Sequence, residues 1–284
     1  MRRAMAIPLH ARLSDFIGPY RAVLSDLWGC VHDGIAPYPG AVDALLALRA
    51  SGRKVILISN APRPWDAVAG QLERMGVPAA CWDAIVTSGD ATVQGFNADF
   101  AGKRYWRLGP ERDTPLFRLL HGEPVAPASA ELVVSTGLFD DETEKSTDYR
   151  RKFASFVEAG KPLVCANPDI VVNRGDRLLE CAGALAELYA AMGGEVRLYG
   201  KPHEPIYRLA MARLGGLPRE QVLAIGDGLP TDVAGAAAFG LDSAWIAGGI
   251  HAAELGPAPD GEAVSRVAAA AGFRPTYAVP ALVW

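Results

Sequence analysis

The side chains that could do chemistry in this chain follow short apolar runs. In LSDLWGCVHDG, residues 24–34, the run at 22–24 delivers Asp26 to what reads as a strand end, with Gly29 just beyond. Ser59 and Asn60 follow VILI, Lys201 follows VRLYG, and Asp227 and Asp232 follow VLAIG. Asp26 and Asp227 together could hold a hard divalent cation by oxygen, and Mg²⁺ suits a site with few carboxylates plus substrate oxygens. Ser59, its neighbouring amides and Lys201 offer donors and positive charge to a phosphoryl group. A carboxylate attacking phosphorus would pass through an aspartyl-phosphate, which splits one hard displacement into two easier ones. The metal would offset repulsion between Asp26 and an anionic substrate. Taken singly, each residue has a plainer reading: Asn60 as a turn residue before Ala61-Pro62, Lys201 as a solvated loop lysine before Pro202, Asp227 as a helix cap. The expectation of a site rests on all four clusters falling at matching ends of one parallel sheet, outside the carboxyl ends of its strands.

The elements that must position them alternate strand and helix. RAVLSD reads as a strand. The helix AVDALLALRASG follows, with Val42, Leu45, Leu46 and Leu48 on its apolar face and Gly52 ending it. KVILISN is a continuous apolar run of the kind found inside a parallel sheet. The helix RPWDAVAGQLERMGV and the strand AIVTSGD come next. The middle carries more charge and loop, then a new strand–helix rhythm through KPLVCANPDIVV and CAGALAELYAAMGG. The last part returns to the opening style, with EVRLYGKP, PIYRLAMARLGG, QVLAIGDG, TDVAGAAAFG and DSAWIAGG. The predicted fold is α/β: a Rossmann-like, doubly wound parallel-sheet core from residues 1–88 and 196–284, with a second α/β domain inserted at 89–195.

Composition narrows the partners. The chain has 284 residues, half of them hydrophobic, and 28 basic against 32 acidic side chains give a net charge of −4. With no basic run, nucleic acid is not an expected partner. No apolar run approaches the roughly 18 residues that span a bilayer. In the opening stretch MRRAMAIPLHARLSD, Pro8, His10 and Arg12 break any secretory apolar region, so no signal peptide is read. Cys30, Cys81, Cys165 and Cys181 lack metal-type pairing and fit reduced thiols in a cytoplasmic protein. Cys30 lies next to Gly29 and could line a site, with packing as the plainer role.

At these residues the sequence resembles the haloacid dehalogenase superfamily, and within it the class IIA branch of cap-containing phosphatases. DLWG stands where the family has its nucleophile loop, LISN resembles the second motif, YGKP the third and GDGLPTD the acidic fourth. CANPD resembles the cap signature, between the second and third motifs. The resemblance runs nearly end to end. It implies that Asp26 is the nucleophile and a metal ligand, that residue Trp28 lends its backbone carbonyl to a Mg²⁺ ion, and that Asp227 ligates and Asp232 orients that metal. It further implies that Gly29, Ser59, Asn60 and Lys201 bind the phosphoryl group, and that Asn167 and Asp169 reach the substrate from the cap. The implied activity is hydrolysis of small phosphorylated metabolites such as sugar phosphates. A homodimer joined through the cap is one assembly open to it.

One residue departs from the pattern. Family phosphatases carry a second Asp two positions after the nucleophile, which protonates the leaving oxygen and later activates water. Here that position is Trp28, and an indole N–H is no acid near neutral pH. Losing a general acid–base costs on the order of 10² to 10⁴ in rate. Asp33 is the candidate substitute, although Asp-Gly is first a turn signal. His32 is a second, with a structural role as its plainer reading. Otherwise the leaving group needs no proton, or the protein binds phosphorylated ligands with little or no turnover. Dehalogenase chemistry needs no divalent metal and would leave Asp227 and Asp232 without a purpose. Among the remaining polar residues, Arg107 and Arg112 read as a charged loop, and Gly183 and Ala184 either shape a pocket or permit close helix packing.

Overall fold

The computed structural model describes residues 6–174, 177–256 and 259–284. Of the opening stretch, residues 1–5 lie outside the described residues. Its strands, in chain order, are β1 (Ala22–Ser25), β2 (Lys54–Ser59), β3 (Ala84–Thr87), β4 (Arg104–Leu108), β5 (Glu123–Pro124), β6 (Leu132–Ser135) and β7 (Leu163–Cys165). They continue with β8 (Val171–Arg174), β9 (Arg177–Glu180), β10 (Val196–Leu198), β11 (Val222–Gly226), β12 (Asp242–Ile246) and β13 (Tyr277–Val279). The chain divides into two compact units: Met1–Ser59, Ala69–Ile85 and Tyr207–Trp284 form the first, Asn60–Val68 and Val86–Ile206 the second. Among the described residues, no helix is long and apolar enough to cross a membrane.

A six-stranded sheet in the order β13-β12-β11-β1-β2-β3 runs through the first unit. β1 is buried at all four residues, and β11 at all five, because helices cover both faces of a parallel sheet and leave no polar side for them to show. From β1 the chain adds β2 and β3 on one side; from β11 it adds β12 and β13 on the other. The boundary between β1 and β11 is therefore the topological switch point, where open α/β sheets leave a crevice at their carboxyl ends. Register puts Ser25 beside both Leu57 and Ile225, so residues just past these strands share one edge. The helix Ala41–Ala50 buries Ala41, Ala44, Leu45 and Leu48. Val42 and Leu46, expected on that face, are only half-buried, since the small Ala side chains let this helix sit close on a rotated face. Trp245 and Val264 anchor a cluster with Leu229, Val233 and Ala268. Burial of each large side chain is worth about 1.5–3 kcal/mol.

The second unit holds a five-stranded sheet in the order β10-β7-β6-β4-β5 and a two-stranded antiparallel ribbon, β8–β9. All pairings in the larger sheet are parallel. Its core packs Trp106, Tyr149, Phe153, Phe156, Leu185 and Tyr189. Here one expectation is corrected. Lys201 follows β10, and β10 pairs with β7 in this second sheet rather than with a strand of the first. The strand ends bearing Asp26, Ser59 and Asp227 belong to one sheet, and that bearing Lys201 to another. The short run VRL has only partly buried outer residues and an exposed centre, as an edge strand should, and local pattern does not encode which sheet an edge joins.

Candidate active site

Asp26 is the first residue past β1, its amide donating to the Ile225 carbonyl at 2.8 Å, and Asp227 is the first past β11. Each is 7 % exposed. Ligand atoms of Asp26, Asp227 and Cys30 all lie within 4.8 Å of one another. Two carboxylates this close and this buried repel one another, and a cation between them offsets that repulsion. The donor set fits a divalent metal.

Asp227 is fixed from several sides. Its Oδ2 accepts from the Ile250 amide at 2.7 Å, and its carbonyl accepts from Trp245 Nε1 at 2.9 Å. A Cβ on either Gly29 or Gly249 would collide with its carboxylate. Gly29 also has φ +80, so two constraints meet at that position: a left-handed backbone and no room for a side chain. Asp232 is buried against Gly226, where a Cβ would strike its side chain, and its Oδ2 accepts from the Gly228 amide at 3.1 Å and the Thr231 hydroxyl at 3.3 Å. It lies within the π-helical turn Leu229–Val233 and, by accepting from Gly228, braces the loop that carries Asp227. Ser59 ends β2, buried.

The loop after Asp26 answers the question of the missing acid in part. The Trp28 indole lies against Gly34, where a Cβ would come within 2.5 Å of the ring, and meets His32 edge-on with centroids 5.3 Å apart. His32 is buried, and its Nδ1 accepts from the Gly34 amide at 3.0 Å. Asp33 Oδ1 accepts from the Ile35 and Ala36 amides, both at 2.8 Å. The Ala36 and Ile35 bonds hold the Asp33 carboxyl below its usual range. This is an Asx turn. A carboxylate kept ionised by two amides is a poor proton donor, so the substitute-acid role fits Asp33 badly. Tyr38, which sequence reading passed over, is coupled electrostatically to Asp227, Asp33 and Cys30; burial first and then these neighbours raise its phenol above its usual range. PYPG reads only as a turn and helix start, and nothing in it signals a neighbour near Asp227.

In the second unit, Asn60, Asp169 and Lys201 form one hydrogen-bonded group. Asn60 Nδ2 donates to Asp169 Oδ1 at 2.7 Å and to the Lys201 carbonyl at 3.1 Å, while the Lys201 amide donates to Asn60 Oδ1 at 2.7 Å. Lys201 is 2 % exposed, so its ammonium is held in a dry setting where its charge acts strongly. Asn167 Oδ1 accepts from the Asp169 amide at 3.1 Å. Gly183 donates its amide to the Asp169 carbonyl at 3.1 Å, and a Cβ there would strike the Pro168 carbonyl. The small residue therefore permits close packing, and that packing steadies the 167–169 loop. Arg107 and Arg112 engage Glu111 and Asp141, as charged-loop residues do.

Comparison with known proteins agrees with this architecture. A family model for haloacid dehalogenase-like hydrolases matches residues 23–121, and a second, HAD-hydrolase-like, matches residues 198–282. A haloacid dehalogenase-like hydrolase from Brucella suis 1330 is 40 % identical, with a TM-score of 0.85 over 96 % of this chain and 100 % of its own. A D-glycerol 3-phosphate phosphatase from Mycobacterium tuberculosis is 31 % identical over 81 % of this chain. This chain spans 64 % of that relative's length. The structure of a glycerol phosphate phosphatase from the same organism, solved in complex with calcium, is 28 % identical with a TM-score of 0.66, over 82 % of this chain and 68 % of its own. This chain belongs to the haloacid dehalogenase-like hydrolase family.

Proposed function

We infer that the protein is a metal-dependent phosphoric monoester hydrolase acting on small phosphorylated metabolites, with glycerol and sugar phosphates as the first class to try. The observation that carries this reading is the pair of buried carboxylates, Asp26 and Asp227, facing each other at the switch point of the six-stranded sheet. The names of the relatives support the substrate class.

In this reading Asp26 and Asp227 hold the ion with the Trp28 carbonyl, and Asp232 braces the loop bearing Asp227. Mg²⁺ suits a set of two carboxylates and a carbonyl completed by substrate oxygens and water. When bound, it lowers the repulsion between Asp26 and the phosphate and stabilises charge on the phosphoryl oxygens. An Asp26 carboxylate oxygen attacks phosphorus, the ester P–O bond breaks, and the leaving alkoxide takes a proton. Water then attacks phosphorus, the acyl-phosphate bond breaks, and Asp26 is released as carboxylate. Ser59, Asn60 and Lys201 act as donors to the phosphoryl oxygens, with Gly29 leaving room beside Asp227. Asn167 and Asp169 contact the rest of the substrate. Trp28 supplies no proton, so the leaving oxygen is protonated by water or its pKa is low enough to need none. The reading includes a cytoplasmic setting, supported by four buried cysteines without a disulfide.

A phosphate-ester panel with and without Mg²⁺, run beside Asp26→Asn, tests it. Metal-dependent phosphate release that disappears in the variant supports hydrolysis. Tight ligand binding with no release from either protein would instead make this a phospholigand-binding protein.

A further inference from the structure

Cys30 stands four residues past Asp26 and is 1 % exposed. A buried cysteine ordinarily behaves as a small apolar side chain. This one keeps different company, because its Sγ lies within 4.8 Å of ligand oxygens from both Asp26 and Asp227. We propose that Cys30 is a third protein ligand of the Asp26–Asp227 cation site, giving it a second, thiophilic mode in which a zinc-class ion binds through one sulfur and two carboxylate oxygens. The proposal rests on the reading of Asp26 and Asp227 as metal ligands and adds a choice of metal to it.

Bond lengths support the geometry. Zinc–sulfur bonds of about 2.3 Å and zinc–carboxylate bonds of about 2.0–2.2 Å put S and O on one tetrahedral ion roughly 3.5 Å apart. The observed limit of 4.8 Å exceeds this by an amount that rotation about the side-chain bonds of Asp26 and Cys30 can remove, with Asp227 left in place. One metal–sulfur bond forms, one S–H bond breaks, and the proton leaves to solvent. Two carboxylates, a thiolate and one remaining position make the three-plus-one set typical of zinc. Mg²⁺ ignores sulfur and keeps its waters, so it would use the two carboxylates and the Trp28 carbonyl without the thiol. The two modes share Asp26 and Asp227 and therefore exclude each other. A thiophilic ion should displace Mg²⁺ rather than join it.

Cadmium is the probe, since its bond to thiolate gives an ultraviolet charge-transfer band. The intact chain titrated with Cd²⁺ should develop the band with one ion per chain, and added Mg²⁺ should suppress it competitively. In Cys30→Ser the band should vanish and Cd²⁺ affinity fall at least tenfold, with Mg²⁺ affinity by calorimetry within twofold of the parent. Cys30→Val gives the same readout with an apolar residue of similar bulk, and circular dichroism checks that both variants fold. The other three thiols, Cys81, Cys165 and Cys181, are all pushed up by burial, Cys165 to about 12, so they give up protons reluctantly. A band that persists in both variants, or no band in a parent that binds Mg²⁺, overturns the proposal alone. A parent that binds neither ion overturns it together with the metal reading beneath it.

Discussion

Gly29→Ala puts a side chain where only bare backbone leaves room for the Asp227 carboxylate. The new Cβ would stand 2.5 Å from Asp227 Cγ and closer still to Oδ2, whereas ordinary contact begins at 3.4 Å, so the carboxylate must retreat by more than about 0.9 Å. That retreat breaks the 2.7 Å bond from the Ile250 amide, worth about 1.5–3 kcal/mol for a charged acceptor. The left-handed backbone at φ +80 adds roughly 1–2 kcal/mol for any residue with a Cβ. A displacement of this size in catalytic geometry costs on the order of 10²-fold in rate. The expected result is a lower melting temperature, Mg²⁺ affinity reduced at least tenfold, and kcat down by about two orders of magnitude. Calorimetric Mg²⁺ titration, thermal melting and phosphate release measure the three. An alanine variant that melts, binds Mg²⁺ and turns over like the parent refutes the account of Asp227 as a ligand held in place by the bare backbone of Gly29.

Four further outcomes follow from the same geometry. Trp28→Asp restores a carboxyl where the family has one, and phosphate release should rise by on the order of 10²-fold, with some loss of stability from the indole packing against Gly34; an unchanged or lower rate would mean the loop cannot present that carboxyl. Asp33→Asn keeps an oxygen acceptor for the Ile35 and Ala36 amides but removes the acid, so activity should stay within about twofold of the parent, whereas a drop on the order of 10² would make Asp33 the proton donor after all. Because Asp33 has a lowered folded-state pKa, its stabilising contribution is present above the ordinary carboxylate pKa of about 3.9 and is lost as pH falls through the lower folded value. Proteolytic nicking of the 33–36 turn should therefore rise only below that range. Gly183→Ala drives a Cβ into the Pro168 carbonyl, so it should weaken substrate binding through the 167–169 loop, read as a raised KM with metal affinity unchanged.

Much of this was legible from local pattern because the fold repeats one unit. β1 and β11 are continuous apolar runs ended by an acid, and the parallel sheet explains both features at once. The pairing of Asp26 with Asp227 was readable because strand ends, not loop interiors, fix a side chain's position. What escaped were facts set by long-range pairing. VRL looks the same whether it borders one sheet or another, so Lys201 was assigned to the wrong sheet edge. Tyr277–Val279 went unread because a three-residue strand has too little pattern to recognise. Cys30 looked like a packing residue because its distance to Asp227, almost two hundred positions away in sequence, depends on β1 and β11 being neighbours. Trp28 was visible as a departure, but its place against Gly34 and His32 needed the turn's backbone course.

The central claim is that Asp26 takes the phosphoryl group onto its own carboxylate. Mass spectrometry of enzyme quenched in acid during turnover of a phosphate ester with Mg²⁺ tests it most directly. With a substrate whose leaving group needs no proton, lack of an acid–base at residue 28 slows only the second displacement, and a phosphate-mass adduct should accumulate on the peptide carrying Asp26, absent without Mg²⁺ and absent in Asp26→Asn. Phosphate released with no adduct on that peptide, or by an Asp26→Asn protein as fast as by the parent, would contradict the account.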